Sequence, residues 1–143
     1  MSQRDKPANK FGLNVSPEPS STDAGDKAHN AFITMEPRSV IPAHFHLSET
    51  GEIYVWIRGG SLHLFLQRPE GGPWVPWHLN ARHNILGIPP YWRHGGVALG
   101  SVPLVFEAYS RVDHFRNNTH QLPDKEQPPH ILFFMRRQKG FVS

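Results

Sequence analysis

Between Ala28 and Tyr109 the chain is cut by glycine and proline into short apolar runs, none long enough for a packed helix. The runs read AFITM, SVIPAHFH, EIYVWIR, SLHLFLQ, PWVPWHL, HNILGI, GVAL and VPLVFEAYS. They are rich in β-branched and aromatic residues, which suit a pleated surface. The chain's 14 prolines and 12 glycines supply turns and forbid long uninterrupted helices. Evenly spaced runs of this kind predict an all-β sandwich or barrel. No stretch carries a convincing helical period, and no internal repeat is visible.

A length of 143 residues fits one domain with one core. Residues 1–27 are polar and read as a flexible N-terminal arm, with a short segment around Phe11 to Val15 that could dock on something. Residues 28–110 read as the β-body. Residues 111–143 read as a C-terminal loop and packing segment of the same domain, ending in an apolar stub that could be a strand packing back on the body or on a partner. Cysteine is absent, so neither a disulfide nor a thiolate ligand or nucleophile is available. That composition, with no apolar leader in MSQRDKPANKFGLNV, leads us to expect a cytoplasmic protein. The apolar runs are too short to span a bilayer. The net charge of +3 is scattered, and the one basic cluster runs from Arg136 to Lys139, so no nucleic-acid partner is expected. Ten histidines beside 12 acidic residues are the more informative bias, because imidazole suits metal binding and proton transfer.

The run GEIYVWIRG has two contrasting faces, since strand side chains alternate. Ile53, Val55 and Ile57 share a branched apolar face that must be buried. Glu52, Tyr54, Trp56 and Arg58 share the other. Either this mixed face lines an inner cavity, or a second subunit covers it; a homodimer is expected.

Just upstream stands HFHLSETGE. On a strand His44 and His46 project to the same side, as two ligands of one ion must. Glu52 opens the next strand, so a hairpin can return its carboxylate over the pair. His94 follows the rigid Pro89-Pro90 corner. Three imidazoles and one carboxylate would leave positions on a divalent ion open to water, dioxygen or substrate.

These residues resemble the two motifs of the cupin superfamily, G-x5-H-x-H-x(3,4)-E-x6-G and G-x5-P-x-G-x2-H-x3-N. The first maps onto His44, His46, Glu52 and Gly59, and the second onto Pro89 and His94. Arg38, His83 and Tyr91 stand where the motifs have glycine, and Ala98 where the second has asparagine. The gap between His46 and Glu52 is five residues, one more than the motif's upper limit. The resemblance covers about Ala28 to Tyr109. It implies a cupin-type double-stranded β-helix, a jelly-roll barrel or sandwich, and a small single-domain, metal-dependent cupin. It further implies one divalent ion per chain (iron, zinc, manganese or nickel) on His44, His46, Glu52 and His94.

Other residues are candidates around such a site. Tyr54 and Glu107 are candidate catalytic groups beside Glu52, Glu107 being either a buried acid or half of a cross-strand ion pair. Trp56, His63, Phe65, Trp92 and Phe106 are candidate walls of a substrate pocket. His63 either faces the cavity, as a further ligand or proton shuttle, or is a polar strand residue. Aromatic walls would favour an aromatic or apolar carbonyl or phenolic substrate. The expectation is a metal-dependent enzyme, with dioxygenase-type chemistry first. A Lewis-acid polyketide cyclase, isomerase or lyase comes second, and a non-catalytic metabolite-binding or sensor module third. Fold alone does not choose among them.

Overall fold

A computed structural model of the chain describes residues 13–18, 29–46, 53–110 and 119–142. The described residues form two antiparallel sheets of five strands each. The first has the order β1-β2-β9-β4-β7, made from β1 (Leu13–Glu18), β2 (His29–Met35), β9 (Leu104–Ser110), β4 (Ile53–Gly59) and β7 (Ile85–Ile88). The second has the order β10-β3-β8-β5-β6, made from β10 (Thr119–Gln121), β3 (Val40–His46), β8 (Arg93–Leu99), β5 (Ser61–Arg68) and β6 (Gly71–Leu79). No helix among the described residues is long and apolar enough to cross a membrane.

The sheets face each other across one core, and strand alternation decides what enters it. Ile53, Val55 and Ile57 of β4 point inward, opposite Ser110, Ala108 and Phe106 in register on β9. From the second sheet, Leu62, Leu64 and Leu66 point inward, with Ala98 of β8 beside Leu62. Tyr54, Trp56 and Arg58 therefore stand on the outer surface of the first sheet, and Tyr54 is 44% exposed. The mixed face of this strand lines no inner cavity.

A second core lies on the back of the second sheet. Val40, Ala43, Phe65 and Val97 are covered there by Leu122, Ile131 and Met135. The last two belong to α1 (Pro129–Val142), a helix rather than a strand. A short apolar run such as ILFFM suits either period. Proline at the first helical position favours the helix. Ile131 and Met135, four residues apart, form the buried stripe. The N-terminal segment read as an arm also contributes structure, since β1 pairs with β2 from Leu13↔Met35 to Glu18↔Asn30.

β6 ends the second sheet. It pairs with β5 only, carries Pro73 and Pro76, and leaves Val75 and Trp77 each 46% exposed. Two turn positions that lack the motif glycine keep its backbone: Arg38 has φ 68° and Tyr91 has φ 69°. That left-handed conformation is one an ordinary side chain adopts only at some cost.

Candidate metal centre

His44, His46 and His94 come together inside the sandwich. They are the one group of three or more potential ligands among the described residues whose ligand atoms all lie within 4.8 Å of one another. Ring centroids are 5.0 Å apart for His44–His46, 4.3 Å for His44–His94 and 5.1 Å for His46–His94. His46 is 6% and His94 7% exposed, and His44 is half-buried.

Register explains the convergence. On β3 and β8, Val40 faces Val97 and Ile41 faces Gly96, but the next pair is His44 with His94. Pro42 and Ala43 thus oppose Gly95 alone, a β-bulge with one extra residue on β3. Without it, alternation from the inward Ile41 would send His44 outward. Gly95 fits this bulge because it has no side chain: a Cβ there would lie 2.8 Å from Ala43 Cα and 2.8 Å from Ile131 Cδ1.

The imidazoles are held in a common way. His44 Nδ1 lies 2.8 Å from the Pro42 carbonyl and His94 Nδ1 lies 3.1 Å from the Trp92 carbonyl, each two residues upstream. His46 Nδ1 contacts Thr119 Oγ1 on β10 at 3.4 Å. A carbonyl can only accept, so Nδ1 of His44 and His94 carries the proton. In the neutral ring Nε2 then carries the lone pair. Metal-binding histidines generally show this arrangement, with one nitrogen tied back and the other offered to the ion. The residues present therefore fit a divalent cation. Glu52, the expected carboxylate ligand, lies outside the described residues.

The remaining candidates fall elsewhere. Phe106 is 3% exposed and inward, and Trp92 packs against the same core. Phe65 faces the second core under α1, and His63 shares its outward face, opposite His78 in register. The expectation that His63 faces the cavity required Leu62 and Leu64 to face out, and they face in. His63 lies 5.2 Å from the His130 ring and 6.3 Å from the His78 ring. Burial first, then the charges of His130 and His78, lower its pKa from 6.5.

Glu107 is 4% exposed but sits on the outer face of the first sheet, so it cannot be a base for the histidine site. Arg58 Nε donates to its Oε1 at 2.6 Å, and Tyr109 donates to its Oε2 at 2.8 Å. Burial first, then the bond to Glu107, raises the Tyr109 pKa above 10.0. The Arg58 guanidinium also lies 4.0 Å from the Trp56 ring centroid. Tyr54, Trp56 and Glu107 thus belong to an outer aromatic and ionic cluster. Sequence reasoning missed Gln127 altogether. This buried side chain grips the backbone of the bulge, and no local pattern marks it.

Solved structures with this arrangement of strands carry one fold-family name. Oxalate decarboxylase from Bacillus subtilis superposes with a TM-score of 0.66 at 19% identity, over 85% of this chain and 30% of that one. Oxalate oxidase gives a TM-score of 0.64 at 16% identity, over 86% of this chain and 63% of that one. The capsular polysaccharide assembling protein CapF from Staphylococcus aureus gives 0.63 at 14% identity, over 76% and 29%. The chain has the cupin fold.

Among curated sequences this chain is similar to glucose-6-phosphate isomerases. That of Thermococcus kodakarensis is 36% identical over 72 residues, 49% of this chain and 36% of that protein. That of Pyrococcus furiosus is 34% identical over 71 residues, with the same two shares. The chain thus spans about a third of the length of these relatives. No family model matches it.

Proposed function

We propose that this chain is a metal-dependent cupin enzyme. Its three imidazoles hold one divalent cation, and its substrate is a small carbonyl or hydroxy-carbonyl compound undergoing isomerisation or a related non-oxidative step. The observation that carries this reading is the inward convergence of His44, His46 and His94, with Nδ1 of His44 and His94 tied to backbone carbonyls. A cation held there supplies Lewis acidity toward a substrate oxygen.

The protein's own groups do the rest. The Pro42 and Trp92 carbonyls fix the tautomer and orientation of two ligands. Leu66, paired in register with His94, and the aliphatic interior exclude water and so strengthen electrostatic interactions at the site. Glu52, immediately before β4 in sequence, is our candidate for the fourth ligand or a base.

The likeness to glucose-6-phosphate isomerases over half of the chain makes sugar phosphates the first substrates to test. The aromatic-substrate reading rested on aromatic pocket walls, of which Tyr54, Trp56 and Phe65 stand on outer faces and Phe106 and Trp92 on the inner core; dioxygenase chemistry would follow from iron at the three imidazoles and is the second reading. The homodimer remains a proposal, attached now to the outer face of the first sheet that carries Tyr54 and Trp56.

The test uses full-length protein purified without chelator or nickel resin. Metal is measured by mass spectrometry, and aldose–ketose interconversion and oxygen uptake are assayed in parallel. About one divalent ion per chain is expected, with isomerase turnover lost together with metal in His94→Ala. Undiminished turnover in a metal-free His94→Ala variant overturns the reading. Metal-dependent oxygen uptake replaces isomerisation by oxidative chemistry. Bound metal with ligand binding but no turnover makes the chain a binding module.

A further inference from the structure

The extra residue of the bulge that turns His44 inward is satisfied from the C-terminal segment, by the Leu122 N–H and by one side chain. Ala43 donates its N–H to Gln127 Oε1 at 2.7 Å. Its carbonyl accepts from Gln127 Nε2 at 3.1 Å and from the Leu122 N–H at 2.9 Å. Gln127 Nε2 also donates to the Leu122 carbonyl at 2.9 Å. Gln127 is 5% exposed and Ala43 fully buried. A primary amide offers donor and acceptor on one planar group, as a peptide does, so it can stand in for one peptide unit of a neighbouring strand. Serine or asparagine here would be too short, and an apolar residue would leave buried backbone groups without partners.

Gln127 follows a short 3-10 turn at Asp124–Glu126 and leads through Pro128 into α1. Ile131 of α1 seats against Gly95, on the other side of the same bulge. On β10, Thr119 pairs in register with His46 and touches its Nδ1. The C-terminal segment thus reaches two of the three ligands, His44 through Ala43 and His46 through Thr119.

We propose that Gln127 is a positioning residue of the metal centre, and that through it the docked C-terminal segment sets the affinity for metal. The inference rests on the reading of His44, His46 and His94 as ligands. Without the clamp, the extra residue of β3 loses the acceptor of its N–H and keeps only the Leu122 N–H at its carbonyl. The strand can relax to the regular register, which places Ala43 opposite His94 and turns His44 to the outer face. His46, two residues on, turns outward with it, and of the three imidazoles only His94 stays inward. Because coupling is reciprocal, metal binding must in turn tighten the C-terminal segment.

The experiment titrates cobalt(II) into metal-stripped full-length protein and follows visible absorption, comparing wild type with Gln127→Leu and Gln127→Glu. Near-ultraviolet circular dichroism shows that each protein is folded. Gln127→Leu is expected to weaken cobalt binding about ten-fold or more and to alter the absorption bands. Gln127→Glu keeps the acceptor for Ala43 and is expected to fall between. A lower melting temperature with unchanged affinity and bands would mean a purely structural role and overturns the proposal.

Should Gln127→Leu fail to fold, hydrogen exchange on the wild type decides. Cobalt must then slow exchange at α1 amides such as Leu132 and Met135, and unchanged exchange there overturns the coupling. If wild type shows no cobalt band at all, the metal-centre reading fails and this inference falls with it.

Discussion

Arg58 and Glu107 form an ion pair across β4 and β9 with its two ends in different media: the Arg58 side chain is 43% exposed and that of Glu107 5%. The asymmetry makes the two deletions unequal. Removing the carboxylate releases Arg58 to water, whereas removing the guanidinium leaves a buried charge with only Tyr109 for support. Arg58→Met is expected to cost about 1–3 kcal/mol, the exposed end of the pair moderating the loss. Glu107→Gln, which keeps an oxygen for Tyr109, is expected to cost less. Urea denaturation of both variants measures the difference. Metal content should be unchanged in each, because the pair lies outside the sandwich.

Gly95 is the point where the bulge, β8 and α1 meet. A methyl group there would lie 2.8 Å from Ala43 backbone atoms and 2.8 Å from Ile131 Cδ1. Backbone cannot yield as a side-chain tip can, so either the bulge shifts or the helix lifts. Gly95→Ala is expected to destabilise by about 1–3 kcal/mol, the usual cost of overpacking, and to lower metal content. A variant that binds metal as wild type does would show that His44 is aimed independently of this contact.

His63 gives stability a pH dependence of known sign. Its pKa in the folded protein lies below the unperturbed 6.5, chiefly from burial and then from the charges of His130 and His78. The unfolded chain therefore takes up this proton first as pH falls. Stability should drop from pH 6.5 downward until the depressed folded pKa is reached, and then level off. His63→Gln should shallow that slope, as read from urea midpoints across the range in metal-stripped protein.

Bound metal should stabilise the fold by mass action. At free metal one hundred times the dissociation constant the gain is about 2.7 kcal/mol, or about 5–10 °C in melting temperature for a domain of this size. Chelator should reverse it. His44→Ala and His94→Ala should melt alike with and without metal. Equal metal-induced shifts in those variants would place the ion elsewhere.

Much of the fold was legible because it is written in alternation. Ile53, Val55 and Ile57 could only face a core, and His44 and His46 could only share a side. Arg38 and Tyr91 occupy motif glycine positions and do adopt the left-handed backbone. What alternation leaves open is which of two faces is the inner one. For His63 and Tyr54 alternation left both faces open, and the choice depends on packing between sheets rather than on either strand. The helix α1 was hidden because ILFFM fits two periods. The bulge at Ala43 was hidden because it exists only in the pairing of β3 with β8. Gln127 acts across 84 positions of chain, on a partner's backbone rather than its side chain, and so leaves no mark in any local pattern.

Pro73 and Pro76 on β6 have a consequence for how this molecule behaves in crowded solution. A terminal strand offers its outward backbone groups to any extended chain, and that invitation is the usual seed of fibrillar growth. Proline has no N–H to offer, and β6 already spends its inward side on β5. With Trp77 and Val75 close by and exposed, this margin would otherwise be sticky as well as unpaired. The two rings make it a poor template, so the protein can display aromatic surface at its rim without recruiting strands to it.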